Sequence, residues 1–425
     1  MTDDLSSKNA AVLVNRATSA YNASNFDQTI EHCRAALILL GGLDDETAHA
    51  LLDEAYERLT MTYQRLGDFA AARRVIDEWR ERTYRVEGHV QNAIQESRVY
   101  SYIGHYDEAQ KSIENALTMA ETADYRSGIG MAKRIQADIQ WKMGYTEKAL
   151  VLSQQALSIL EQTGDLEQQA ATHVSIAAAY HHGGKFYKSI QHLQRAARIV
   201  EQLGRQFELA IIYSNLGETY AELYAMNKAL EAHQKAILLV GEHAHPDLLR
   251  NLGVDLISVD RRDEGLAYLH RALQRARETN NPDMIAQALF SLAENDLQIG
   301  KLDQAQERSD ELLQLATRLD SLRHRVRALM LLGEIARQRG DQTTARAHFH
   351  DCSMLAQQSD DHQAIWQIHA ILYELMRETL PKMADVHRRI AAEMMNHILN
   401  GIEDPELSQT FRSAEPVRVV LEKKT

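Results

Sequence analysis

Apolar side chains recur along this chain with the period of a helix, in paired segments separated by a short break. The stretch from Tyr213 to Leu239 shows the pattern most clearly. Leu216 and Tyr220 fall on one helical face of its first half, and Ala229 and Ala236 fall on one face of its second half. Small residues let two helices approach closely, and the large ones fill the space beside them. The stretch therefore predicts an antiparallel helical hairpin.

The same hairpin pattern returns along most of the chain. If the residue at each break is taken as an anchor, successive anchors lie roughly 40 residues apart. The anchors are Gly67, Gly104, Gly144, Gly184, Tyr224, Asp260, Gly300 and Gly340. Five positions after each anchor, a small residue is expected at the helix crossing: Ala72, Ala109, Ala149, Ser189, Ala229, Gly265, Ala305 and Ala345. Weaker units are expected around Ser24 with Thr29 and around Leu380 with Asp385.

A second column lies twelve positions after the anchor and consists mostly of alanine. Its members are Ala36, Trp79, Ala116, Ala156, Ala196, Ala236, Ala272, Leu312, Cys352 and Ala392. Alanine at a fixed offset is more specific than general alanine richness. The columns predict an all-α repeat domain of about ten antiparallel hairpins at residues 10–400. We expect a flexible lead at residues 1–9 and a tail at residues 401–425 that caps the last hairpin or docks in a groove.

The pattern resembles the tetratricopeptide repeat family, whose repeats carry Leu-Gly, Tyr, a turn Gly, Ala, an aromatic residue and Ala at fixed positions. The matching residues here are Leu216, Gly217, Tyr220, Ala229 and Ala236, with His233 in place of the aromatic residue. The unit is longer than the usual repeat of about 34 residues. It is similar to the longer repeats of spindle-orientation adaptors, kinesin light chains and bacterial peptide-sensing regulators. The resemblance implies a right-handed superhelical solenoid whose first helices line a concave groove.

Composition narrows the class of protein. Only five prolines among 425 residues favour helix over a loop-rich fold, and the formal net charge of −13 argues against sequence-independent nucleic-acid binding. No apolar run reaches the roughly 20 residues that span a membrane, and the start MTDDLSSKNA lacks the pattern of a secretory signal. We therefore expect a cytoplasmic protein that binds neither nucleic acid nor membrane.

The sequence offers little support for catalysis. The common nucleotide-binding and zinc-binding motifs are absent, and the histidines lack metal-ligand spacing. The carboxylate pairs Asp44-Asp45 and Asp360-Asp361 fall in predicted loops, where helix capping and solvation explain them. Cys33 and Cys352 occupy helix-packing positions and are interpreted as core thiols. We predict no enzyme activity, no metal and no cofactor.

The inner face of the first helices carries the most information about binding. Its columns lie about ten, nine, six, three and two residues before each anchor. In the early units they hold Arg58, Arg65, Arg98, Tyr102, Arg134, Trp141 and Lys142. In the later units they hold Glu218, Glu222, Glu294, Glu334 and Glu374, interrupted by Arg250, Arg337 and Arg377. The columns predict a polarised groove, basic early and acidic late.

The candidate binding residues come from this face. They are Arg98, Tyr102, Arg134, Asp138, Trp141, Lys142, His181, Asn215, Glu218 and Asn251. The basic and aromatic members favour an acidic or carboxylate-bearing partner. The resemblance implies that the asparagines hold an extended peptide backbone, and the alternative is that they are solvated or inter-helix residues.

These observations predict a protein- or peptide-binding scaffold that acts as a regulatory adaptor. The alternative is a ligand-responsive sensor module of a bacterial signalling system, in which a signalling peptide or small molecule shifts a population between two curvatures. The oligomeric state stays open, and a homodimer is one of the options.

Overall fold

A computed structural model describes residues 2–23, 25–241, 244–356 and 362–422 of the chain. These residues form 22 α-helices and no strand, which confirms the all-α prediction. The helices up to residue 222 are α1 (Thr2–Asn22), α2 (Phe26–Leu40), α3 (Glu46–Arg65), α4 (Phe69–Arg82), α5 (Val86–Tyr102), α6 (Tyr106–Thr122), α7 (Arg126–Lys142), α8 (Thr146–Thr163), α9 (Leu166–His182), α10 (Phe186–Gln202) and α11 (Gln206–Glu222). The others are α12 (Met226–Val240), α13 (Pro246–Ser258), α14 (Arg262–Glu278), α15 (Pro282–Gln298), α16 (Leu302–Arg318), α17 (Leu322–Gln338), α18 (Gln342–Ala356), α19 (His362–Met376), α20 (Pro381–Asn400), α21 (Pro405–Ser413) and α22 (Glu415–Leu421).

The chain divides into two compact units. Unit 1 comprises Met1–Ala179 and Gln194–Leu209, and unit 2 comprises Tyr180–Leu193 and Ala210–Thr425. The division runs through α9, α10 and α11, so no linker marks it in the sequence. In each unit, consecutive helices pack as pairs, such as α7 with α8 in unit 1 and α13 with α14 in unit 2. The helices up to α20 form the ten hairpins that the sequence predicts.

The anchors mark the hairpin turns. All eight of them adopt a left-handed backbone, with φ from 56° at Tyr224 to 87° at Gly144. Glycine adopts this conformation without steric cost, whereas Tyr224 and Asp260 do so as side-chain-bearing residues. The shared backbone geometry confirms the repeat register from Gly67 to Gly340. The further anchor at Ser24 lies outside the described residues.

The small columns pack at the helix crossings. Every column residue from Thr29 to Cys352 is buried, including Ala236 and the bulky Trp79. In unit 2, Gly217 of α11 lies so close to His233 of α12 that a Cβ atom at position 217 would overlap the imidazole ring. The histidine therefore takes the space that an aromatic residue fills in the family pattern.

The register moves by one residue in the last hairpin. Ala384 and Ala391 occupy the buried columns, with 1% and 0% exposure, whereas Ala392 is only partly buried. The expectation that Asp385 stands at the crossing is therefore wrong. A carboxylate at a helix crossing would lose its hydration without gaining a partner. Asp385 instead lies at the surface and pairs with Arg388 at 3.2 Å.

Side-chain caps begin several helices. Asp45 Oδ1 accepts a hydrogen bond from the backbone N–H of Ala48 at 2.9 Å, and Asp68 Oδ1 accepts one from Ala71 at 2.8 Å. This confirms the capping interpretation for Asp45. The other predicted carboxylate pair, Asp360-Asp361, lies outside the described residues.

Both ends of the described chain are helical. Helix α1 begins at Thr2, so residues 2–9, expected to be flexible, are its first turns. In the tail, α22 packs against α19 and α20, and its Val417 and Val420 are buried. The tail therefore packs on its own unit, as a cap does.

Both cysteines are core residues, as the sequence predicts. Cys33 in α2 and Cys352 in α18 are free thiols with 0% exposure, and burial raises the pKa of each thiol to about 12. Within the described part of the chain, no helix has both the length and the hydropathy needed to cross a membrane.

Candidate functional site

Five of the predicted binding residues come together on the inner face of unit 1. Arg98 and Tyr102 lie one helical turn apart on α5, and Arg134, Asp138 and Lys142 follow the same spacing on α7. Lys142 Nζ is 4.5 Å from the centre of the Tyr102 ring and 3.1 Å from the Ser101 hydroxyl. Arg134 Nη1 is 3.2 Å from Asp138 Oδ2. The structure thus brings the basic and aromatic residues into one cluster.

The charges of this cluster act on one another. The positive charge of Arg98 lowers the pKa of the Tyr102 hydroxyl, against the opposing effect of burial. Burial lowers the pKa of the Arg134 guanidinium, and Asp138 offsets part of this effect. Trp141 is half-buried on α7 beside Lys142. Because Tyr102 is 51% exposed, its ring offers a contact surface to a ligand.

A second cluster extends this inner face. Arg58 and Arg65 stack on the ring of Tyr21, at 4.9 and 4.8 Å from its centre. Arg65 also lies 4.3 Å from the centre of the Phe207 ring and 3.8 Å from Glu208. The anchor columns predict the two arginines but not the contacts of Phe207 and Glu208, since both of these lie in the first turn of α11, before the columns begin.

Basic side chains outnumber acidic ones on the inner face of unit 1. The basic ones are Arg58, Arg65, Arg98, Arg134, Lys142 and Arg205. The acidic ones are Glu57, Asp138, Glu167 and Glu208. Within the described residues, Arg58, Arg98 and Lys142 have no carboxylate within 4.0 Å. The face is therefore positive although the whole chain is acidic.

The remaining predicted residues lie in unit 2 and are engaged by the protein itself. Asn251 Nδ2 donates to Glu218 Oε1 at 2.9 Å, while Asn251 Oδ1 accepts from Arg250. Burial, followed by the negative charge of Asp247, raises the pKa of Glu218 to about 7. Asn215 is half-buried on α11.

His181 has a packing role within unit 2. Its Nδ1 is 3.0 Å from the Thr219 hydroxyl, and its ring meets Phe186 edge-on at 5.1 Å. Burial lowers the pKa of His181 to about 4, and His182 contributes in the same direction. We therefore leave His181, Glu218 and Asn251 out of the binding cluster.

Unit 2 encloses a cavity of about 1200 Å³ on its own inner face. The predicted inner residues Glu222, Glu294, Glu334 and Glu374 line it, as do the arginines of the same columns. The expectation of an acidic late face is nevertheless wrong, because arginines and glutamates are balanced. The charged lining consists of Arg250, Arg323, Arg327, Arg337, Arg346, Arg377, Glu222, Glu294, Glu334, Glu374, Glu378 and Glu415.

Contacts between the first and last hairpins of unit 2 close this cavity on one side. We call Tyr224, Trp366 and Phe411 the aromatic clasp. Their ring centres lie 6.0–6.3 Å apart. Gln367 Nε2 donates to Glu222 Oε2 at 3.1 Å beside it. The described residues contain no group of three or more His, Cys, Asp or Glu side chains that could hold a metal ion.

Comparison with known proteins agrees with this architecture. The tetratricopeptide repeat model matches residues 168–237 and 246–318. The model for anaphase-promoting complex subunit 5 matches residues 55–133 and 323–379. No curated protein sequence matches the chain.

Several solved structures are similar in fold. The apo form of the quorum sensor NprR from B. thuringiensis is 11% identical, with a TM-score of 0.55 over 82% of this chain and 99% of that one. A Rap protein complexed with Competence and Sporulation Factor is 16% identical, with a TM-score of 0.52 over 83% and 98%. Apo RapI is 11% identical, with a TM-score of 0.54 over 82% and 98%. The family model thus confirms the predicted tetratricopeptide repeats over the residues that it matches, and the solved structures agree in fold.

Proposed function

Since tetratricopeptide repeats match residues 168–237 and 246–318, we propose that this chain is a binding scaffold that holds an acidic segment of a partner protein on the inner face of unit 1. Three cations carry the proposal. Arg58, Arg98 and Lys142 lie on successive first helices and have no carboxylate partner within 4.0 Å in the described chain. Acidic side chains of a bound segment would supply the missing partners.

Tyr102 gives this face an apolar contact between the charges. It lies against both Arg98 and Lys142, and half of its surface is exposed. A rigid aromatic side chain flanked by arginine is typical of positions that contribute strongly to binding. Carboxylates of the partner would pair with the cations, and its apolar side chains would lie on the ring. The chain then acts by binding, as a regulatory adaptor, rather than by catalysis.

A labelled peptide of about six glutamates tests the proposal with the full chain. We expect measurable binding that weakens as salt increases, because exposed charges are screened beyond about 10 Å at 0.1 M salt. Lys142→Glu should weaken binding by more than about 1 kcal/mol, whereas Arg74→Glu on the outer side of α4 should do little. Lys142 and Arg74 are both exposed, so neither change is expected to disturb the fold.

Two results would reject this assignment. One is an equal loss of affinity from Lys142→Glu and Arg74→Glu, which would place the peptide elsewhere on the surface. The other is equal binding of a peptide of about six lysines, which would show that the face does not select negative charge. Circular dichroism of each variant verifies that the helices are intact.

A further inference from the structure

The cavity of unit 2 contains a pair of arginines that its own carboxylates do not neutralise. Arg323 and Arg327 lie one helical turn apart on α17, and both line the cavity. Among the described residues, neither has a carboxylate within 4.0 Å. The Arg327 guanidinium lies 5.0 Å from the centre of the Phe290 ring. Among the described residues, the Arg327 guanidinium therefore contacts an aromatic face and no carboxylate.

Other charged residues of the cavity are paired locally. Arg337 lies 2.6 Å from Glu334, and Arg377 lies 3.3 Å from Glu374, each along its own helix. Arg323 and Arg327, by contrast, have no such pair among the described residues.

The surroundings of Arg327 compensate its charge only in part. Burial, followed by the positive charges of Arg323 and Arg250, lowers the pKa of Arg327 to about 10, against the opposing effects of Glu294 and Glu222. Arg250 is itself held by Asp247 at 3.0 Å. Glu294 stays beyond ion-pair distance of Arg327, and burial raises its own pKa. An incoming anion would thus gain from charges that are already in place and partly desolvated.

The walls of the cavity suit a small organic ligand, and its volume of about 1200 Å³ lies somewhat above the usual range. Small-molecule sites usually measure about 300–1000 Å³ and combine apolar walls with a few polar groups. Phe290, Met330 and Trp366 supply apolar surface here. Tyr224 and Trp366 of the aromatic clasp and residues of α22 line the same space, so the chain itself limits how far a long segment could extend.

We propose that the unit 2 cavity is a second binding site, which takes a small organic anion whose carboxylate or phosphate group is held by Arg323 and Arg327. The apolar part of the ligand lies against Phe290 and Met330. Arginine suits this role because its planar guanidinium donates two parallel hydrogen bonds to an oxyanion. This site is independent of the acidic-segment site of unit 1.

Thermal unfolding of the full chain with defined probes tests the site. The probes are sodium phosphate, sodium benzoate and benzyl alcohol, each at about 20 mM, with sodium chloride at matched ionic strength as the reference. An anion that binds the folded state raises the unfolding midpoint, and we expect a rise of about 2 °C or more over chloride. Phosphate alone would indicate a phosphorylated ligand, and benzoate alone would indicate a carboxylic acid. Benzyl alcohol, which lacks the charge, should have no effect.

Variants assign the shift to the cavity. Arg323→Gln, at an exposed side chain, should at least halve the rise in the unfolding midpoint. Arg323→Gln combined with Arg327→Gln should abolish this rise. The matched control, Arg98→Gln with Lys142→Gln in unit 1, should leave it intact. A shift no larger than that of chloride, or one that survives the Arg323→Gln and Arg327→Gln change, would overturn the proposal. A shift lost only in the unit 1 control would also overturn it. Failure of glutamate-peptide binding with a retained benzoate or phosphate shift would reject only the unit 1 site.

Discussion

The two units are built from the same hairpin, yet different chemistry joins the first and last helices of each. In unit 1 a single charged side chain, Arg65 of α3, stacks on Tyr21 of α1 and Phe207 of α11 and pairs with Glu208. In unit 2 the aromatic clasp performs this role, and a cavity stays open beside it. The repeat frame therefore fixes where the inner residues stand, while their identity decides whether a charged contact or an aromatic one joins the helices.

Removal of the clasp should produce the largest effect. Trp366 is 1% exposed, so Trp366→Ala should lower the free energy of unfolding by about 3–5 kcal/mol through lost burial and the cavity left behind. Urea unfolding followed by circular dichroism measures the change. Leu238→Ala, at a side chain that is 83% exposed, is the matched control and should cost little. A wild-type midpoint for Trp366→Ala would show that the clasp does not hold unit 2 together.

Because the register shifts at the end of unit 2, the neighbouring residues Ala391 and Ala392 are buried to different extents. Ala391→Leu should overpack the α19–α20 crossing and cost about 1–3 kcal/mol, since Ala391 has 0% exposure. Ala392→Leu, at a partly buried position, should cost much less. Thermal unfolding of the two variants compares them directly. If Ala392→Leu were the more destabilising change, Ala392 would lie at the helix crossing, as the sequence alone predicts.

Unit 2 also holds a buried histidine pair that should make its stability depend on pH. His369 Nδ1 lies 2.6 Å from His387 Nδ1, and burial followed by the charge of His387 lowers the pKa of His369 to about 4. The folded protein then binds fewer protons than the unfolded chain between pH 6.5 and 4, so its stability falls as pH falls through this range.

At pH 6.0 the loss from His369 should be about 1 kcal/mol relative to pH 7.5. Urea unfolding at the two pH values measures it. His369→Gln, which cannot take up the proton, should remove this part of the pH dependence. An unchanged pH dependence in the variant would mean that His369 is not held neutral by the fold.

The smallest expected effect concerns the charged contact of unit 1. Because Arg65 is partly exposed, Arg65→Gln should lower the free energy of unfolding by only about 0.5–1 kcal/mol, through loss of the ion pair and the aromatic stacking. The cost should shrink when sodium chloride rises from about 0.05 to 0.5 M, because salt screens the ion pair. Trp366→Ala should show no such salt dependence. Equal salt responses would remove the chemical distinction between the two units.

The local parts of the fold could be predicted from the sequence. A turn with left-handed backbone and a small residue at a crossing leave marks at fixed offsets, and these placed the anchors from Gly67 to Gly340 correctly. The last hairpin was misplaced by one residue, because Pro381 starts α20 directly after Leu380 and moves the buried column to Ala384 and Ala391. The sequence also carried no sign of the division into two units, since it falls within helices.

The site could be predicted only in part. The inner-face columns, which lie ten to two residues before each anchor, identified Arg98, Arg134 and Lys142. These three residues do meet on one face. Arg327 and Arg323 were missed because they lie about one and about two turns, respectively, closer to the start of α17 than those columns reach. The bond between Gln367 and Glu222 joins residues that are 145 positions apart. Such contacts depend on small rotations accumulated over many repeats, and no local pattern reports those rotations.

The clasp also changes how unit 2 should come apart. In an open repeat array each hairpin touches only its neighbours, so the ends fray first and unfolding spreads inward. In unit 2, Trp366 and Gln367 of the last hairpin contact Tyr224 and Glu222 of the first one. The helices at either end therefore cannot fray unless these contacts break. Slow amide hydrogen exchange should therefore extend to its terminal helices, and unit 2 should open as one cooperative block.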